Sequence, residues 1–146
     1  MSAEENKRIS RRVADEGFSR GNVDIFDELV AEDFVNHDPA VPPELPPGRE
    51  GLKALARYYR SAFPDTQLTI EDQVAEGDRV VSRYTVRGTH KGDFAGVPAT
   101  GKQITATGIT IDRIEGGKIV ESWNEFSQLS LLQQLGIVPE QAPTQA

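Results

Sequence analysis

An α+β fold, with helices first and a strongly curved, mostly antiparallel sheet after them, is what this sequence predicts, and three observations carry the prediction. Apolar residues recur at helical spacing as far as Phe63, the period changes to two from Gln67, and Gly77-Asp78 and Gly116-Gly117 supply turn chemistry in the second half. Helices segregated before a run of sequential strands pack on one face of the sheet.

Taken in order, Ile9, Val13, Ala14 and Phe18 fall on one helical face, and Gly21 ends the pattern. Asn22 as N-cap, Asp24 in the first turn and the stripe Val23, Phe26, Leu29 and Val30 predict a short second helix. Pro39, Pro42, Pro43, Pro46 and Pro47 rule out a regular element from Pro39 to Gly48, so this stretch reads as an extended loop able to border a pocket mouth. Leu52, Leu55, Ala56, Tyr59 and Phe63 predict a third helix, stopped by Pro64. Leu68, Ile70 and Val74 mark a strand that forms a hairpin with Val80 to His90, where Val80, Ser82, Tyr84, Val86 and His90 share a face. After the Gly- and Pro-rich loop from Lys91 to Gly101, Ile104 and Ala106 are even while Ile109 and Ile111 are odd, which predicts a β-bulge at Gly108. Lys118 to Ser127 is a last strand, giving about four in sequence, and Leu129, Leu132 and Leu135 predict a terminal helix closed by Gly136. One domain over 1–138 and a frayed tail over 139–146 are expected.

Composition narrows the function classes. A formal charge of -7 repels polyanions, so nucleic acid is not an expected partner. No apolar run is long enough to span a bilayer, and the polar start lacks the apolar core of a signal peptide, so a cytoplasmic protein without membrane contact is expected. Zero cysteines remove disulfides, thiolate nucleophiles and Cys-based zinc sites, and His37 and His90 are the only imidazoles; no metal and no cofactor are expected. A bent sheet incompletely filled by its helices leaves an apolar cavity with a few polar groups, suited to a hydrophobic small molecule.

Several residues are candidates for that cavity, each with a plainer alternative. Asn36-His37-Asp38 is either an Asx-type turn before Pro39 or a pocket element, and His37 beside Asp38 is the one obvious proton-transfer pair. His90 either holds the loop that follows it or faces the pocket. Tyr59, Tyr84 and Trp123 are core packing or aromatic walls for a planar ligand. Glu121, Glu125 and Asp112 read as solvated strand charges unless buried.

The segments Phe34-Val35-Asn36-His37-Asp38-Pro39, Pro47-Gly48-Arg49-Glu50-Gly51, Gly88-Thr89-His90-Lys91-Gly92, Gly96-Val97-Pro98, Gly117-Lys118-Ile119-Val120-Glu121 and Leu132-Gln133-Gln134-Leu135-Gly136 resemble, in order and spacing, the SnoaL-like polyketide cyclases, also called ester cyclases. The resemblance implies the cone-shaped fold of nuclear transport factor two and ketosteroid isomerase, a homodimer through the sheet, and a cofactor-free aldol cyclase acting on a polyketide methyl ester. In register with those cyclases, Asn124 stands where their acid/base aspartate lies, Thr110 where a pocket histidine lies and Gly108 where a glutamine lies, while a pocket asparagine is kept as Asn36. An amide takes no proton at neutral pH. The resemblance therefore leaves two classes open: an enzyme using His37-Asp38 or a displaced carboxylate, or a binding module in which Asn36, Thr110 and Asn124 orient a ligand. Installing a carboxylate at Asn124 is expected to raise cyclisation.

Overall fold

A computed structural model describes residues 2–139, so the expected tail lies, from 140 onward, outside the described residues. Helix α1 spans Ala3–Arg12; its N-cap Ser2 accepts a hydrogen bond from the Glu5 amide at 3.1 Å. Glu4 and Glu5 in the first turn complement the helix dipole. The helix continues as a π-helical stretch, Val13–Ser19, in which Gly17 lies under the Phe26 ring; a Cβ there would meet Phe26 Cε1 at 2.2 Å. Phe26 is fully buried. Removing such a side chain from water is worth about 1.5–3 kcal/mol, so this close approach anchors the next helix.

That helix, α2, covers Ile25–Leu29 only, and Asn22 does not cap it. Val30 instead opens strand β1, Val30–Asn36, a fifth strand beyond the four expected. Glu32 and Asp33 interrupt its apolar alternation, leaving Val30 and Phe34 as its buried residues, which is why the pattern reads as a helix stripe. Helix α3, Gly48–Ala62, follows the proline loop and buries Leu52, Leu55 and Ala56. Strands β2 (Gln67–Glu76), β3 (Arg79–Thr89), β4 (Gln103–Glu115) and β5 (Lys118–Phe126) and helix α4 (Gln128–Gln134) complete the chain. The sheet order is β1-β5-β4-β3-β2, antiparallel except where β1 runs parallel to β5.

Register decides which side chains face inward. The expected bulge at Gly108 is absent: β4 pairs without interruption through Tyr84↔Gly108 and Gly108↔Phe126. Ile104, Ala106, Asp112 and Ile114 are buried, so the even positions stay inward and Ile109 points out. Register shifts lie instead between Ile70 and Asp72, between Arg113 and Ile114 and, in the β1–β5 pair, between Val30 and Val35. The first turns Val74 outward, contrary to its expected place beside Leu68 and Ile70. In α4 the inward side chains are Leu131 and, just beyond it, Leu135, while Leu129 is exposed. Gly136, with φ of 79°, ends the turn as expected.

Two clusters of buried apolar residues result. One gathers Ile9, Val13, Phe26, Val30, Leu55 and Ile119 beneath the N-terminal helices; the other gathers Phe63, Phe94, Ile104, Leu131 and Leu135 at the C-terminal end. A cavity borders both. Among the described residues no helix is long and apolar enough to cross a membrane.

Candidate functional site

The cavity, of about 170 Å³, is walled mainly by apolar side chains, among them Val13, Phe18, Phe34, Leu55, Phe63 and Ile104. Against that lining a few polar groups stand out. Asn36 and Asp38 reach it from the end of β1, Tyr59 from α3, and Tyr84, Thr110 and Asn124 from three adjacent strands.

Asp38 is held in place by its own turn. Its amide donates to Asn36 Oδ1 at 2.9 Å, and its Oδ1 accepts from the Ala40 amide at 2.8 Å. The Asx turn read in the sequence is therefore present, and it serves to fix a carboxylate on the cavity wall. Asn124 Nδ2 donates to Asp38 Oδ2 at 3.0 Å. The other end of that amide, Oδ1, accepts from Tyr84 Oη at 2.7 Å and from Thr110 Oγ1 at 2.8 Å. Tyr84 reaches across because residue 108 is glycine: a Cβ there would lie 2.3 Å from the Tyr84 hydroxyl.

Both phenols stay protonated. Burial pushes Tyr84 up to about 12, against the hydrogen bond to Asn124, and the Asp38 charge adds to the effect. Burial raises Tyr59 further, again with the Asp38 charge. Among the described residues Tyr59 makes no side-chain hydrogen bond, so its hydroxyl is open to whatever fills the cavity.

The structure does not bring His37 to this group. In an extended strand neighbouring side chains face opposite ways. Asp38 lines the cavity, whereas His37 is absent from its wall: its Nε2 is 2.7 Å from Glu121 Oε2 and its ring stacks on Trp123 at 5.0 Å. The expected His37-Asp38 proton-transfer pair therefore does not exist. Glu121 is also bonded to Arg113 Nε at 2.9 Å, and these two contacts, His37 first, hold its carboxyl below the ordinary range. Trp123 is no cavity wall; it lies between His37 and the Arg79 guanidinium, 5.2 Å from the ring centre. His90 is fully buried, but outside the cavity lining. Its Nδ1 accepts from the Thr100 amide at 3.1 Å and lies 2.9 Å from Thr100 Oγ1, which ties down the loop after β3.

One group the sequence reading placed in solvent is inside. Asp112 lines the cavity and is 7% exposed, with burial raising its carboxyl above the ordinary value. The signal for it was available in the unbroken even parity of β4. Among the described residues no three His, Asp or Glu side chains gather as metal ligands would.

The family model for SnoaL-like polyketide cyclase matches residues 8–135. The chain belongs to this family. It is 27% identical over 127 residues to the aklanonic acid methyl ester cyclase of Streptomyces peucetius, covering 83% of this chain and 84% of that one. Among solved structures, TsrD from Streptomyces laurentii superposes with a TM-score of 0.84 at 28% identity, covering 94% of this chain and 99% of the other. IdmH from Streptomyces antibioticus gives 0.78 at 35% identity, covering 90% and 98%. The helices, five-stranded sheet and short last helix are those of the SnoaL-like members of the nuclear transport factor two-like fold.

Proposed function

We propose that this SnoaL-like protein is a cofactor-independent enzyme acting on a hydrophobic carbonyl compound of polyketide type, with Asp38 as its proton acceptor. The observation that supports this most is a carboxylate on the cavity wall, fixed by two turn contacts and by Asn124, with the free hydroxyl of Tyr59 in the same cavity. Removing a proton next to a carbonyl needs a base, a donor for the developing enolate oxygen, and a cavity that excludes water. Asp38, Tyr59 and the apolar walls fill these roles. Asn124, which the resemblance aligns with the family's aspartate, positions the base instead of being it.

The test is turnover of aklanonic acid methyl ester, the compound named for the Streptomyces peucetius relative. Native protein is expected to cyclise it, and to do so equally after dialysis against chelator. Tight binding without turnover would favour the second reading, a carrier or sensor of such compounds. A specific observation speaks for that reading: both Asp38 oxygens already accept hydrogen bonds, from the Ala40 amide and from Asn124.

The outer sheet face, where Thr105, Thr107, Ile109 and Ile111 project away from the cavity, is proposed to pair with a second copy. Ile109 is 48% exposed, a cost that an isologous contact removes. Light scattering at micromolar concentration is expected to give twice the chain mass, and a monomer mass refutes the pairing.

A further inference from the structure

The base and its partners use one part of the cavity and leave Asp112 without a task. On β4 its inward neighbour along the strand is Thr110, and its cross-strand partner on β5 is Ser122, one rung beyond the Thr110↔Asn124 pair. Adjacent inward rungs are about 7 Å apart. Ser10 on α1 donates to Asp112 Oδ2 at 2.8 Å, and Ser122 donates to Oδ1 at 2.5 Å. All three residues line the cavity. Val80 faces Asp112 from β3 and brings no charge. The ionisable groups elsewhere on the wall are Asp38, Tyr59, Tyr84 and Arg87, and among the described residues no cation forms an ion pair with Asp112. The neighbouring Arg113 is taken up by Glu115 and Glu121.

Counting protons decides what this triad can do. An ionised Asp112 leaves two O–H groups for two contacts, with no donor to spare. A protonated Asp112 leaves three O–H groups for the same two contacts, so one remains free. A buried carboxylate facing only hydroxyls, with no counter-ion, is the costlier state.

We propose that Ser10, Asp112 and Ser122 form a second ligand-binding pole, a protonated hydrogen-bond donor that takes a neutral acceptor oxygen, carbonyl or ester, one rung along the sheet from the Asn124 that holds the Asp38 base. The inference rests on the cavity being the ligand site. It selects compounds that carry an oxygen acceptor at that end of an apolar frame, and it disfavours those that carry a free carboxylate there, because two carboxyl groups in contact must share a proton.

The experiment compares calorimetric binding of fluorenone and fluorene, flat compounds of like shape that differ in one carbonyl oxygen, to native protein and to Asp112→Asn across mildly acidic to alkaline pH. Native protein is expected to prefer fluorenone by about tenfold at the acidic end, the yield of one good hydrogen bond. The preference should fall as pH rises through the raised Asp112 value, to what the Tyr59 hydroxyl, still protonated there, supplies by itself. In Asp112→Asn an amide N–H replaces the acid proton, so the preference should persist at every pH. A native preference that ignores pH, or a pH dependence that survives in Asp112→Asn, overturns the proposal while leaving the cavity reading intact. Failure of both compounds to bind either protein removes the cavity reading and this pole with it. An infrared difference spectrum between the two proteins without ligand gives an independent check. A protonated carboxyl band at neutral pH supports the proposal, and carboxylate bands alone overturn it whether or not either compound binds.

Discussion

Asp38→Asn is expected to lower kcat on the methyl ester by about a hundredfold to ten-thousandfold, the usual loss when a general base is removed, with a much smaller change in KM. The side chain keeps its shape, and its oxygen can still accept the Ala40 amide. What it loses is the ability to hold a proton taken from carbon. Asn124 can turn its amide to present oxygen to the new NH2 group, so the fold has a way to absorb the change. His37→Ala is the matched control. It removes an imidazole from the opposite face of the sheet, where its partners are Glu121 and Trp123, and turnover should stay at the native level. Rate measurements on the three proteins check both statements; a collapse in His37→Ala with Asp38→Asn active would place the chemistry on the outer face.

Asn124→Asp is expected to cut turnover by about tenfold on the acid side of the pH profile and to move the acid limb of that profile upward. The sign is opposite to the one the resemblance suggests, and the geometry explains why. The new carboxylate would stand at the 3.0 Å now spanned by the Asn124–Asp38 hydrogen bond, and two carboxylates that close cannot both be ionised. Tyr84 and Thr110 both donate to the oxygen at the far end of residue 124, so they favour the charge there and leave the shared proton on Asp38. The base is then blocked until pH exceeds the upper value of the pair. A pH–rate profile of the variant decides the matter: a rise in turnover at neutral pH would mean that position 124 is the better seat for the base and that Asp38 only supports it.

Much of the fold is legible in the sequence because period and punctuation agree. Helix α3 between the proline loop and Pro64, the β2–β3 hairpin at Gly77-Asp78 and the β4–β5 turn at Gly116-Gly117 form where the pattern places them. Strand β1 escapes because Glu32 and Asp33 break its alternation, and because its parallel pairing with β5 is a long-range contact that no local signal records. The candidate site divides along the same line. Asn36, Tyr59, Tyr84, Thr110 and Asn124 are found together, since strand parity, family register or, for Tyr59, helical spacing points to each. His37 and Trp123 are misplaced by one residue of alternation. Asp112 is missed because the false bulge at Gly108 turned it outward. Glycine there reads as a break in the strand, when its missing side chain is in fact the space that the Tyr84 phenol fills.

Trp123 is the single tryptophan of the chain, and its place between His37 and Arg79 determines what light can report about this protein. Its indole is separated from the cavity by the sheet that carries it. Intrinsic emission should therefore stay silent when a ligand enters, and a titration followed at that wavelength would record no binding even at saturation. The same emission should change when the outer face is covered. An optical signal usually used to follow ligands would here test the proposed pairing of two copies instead.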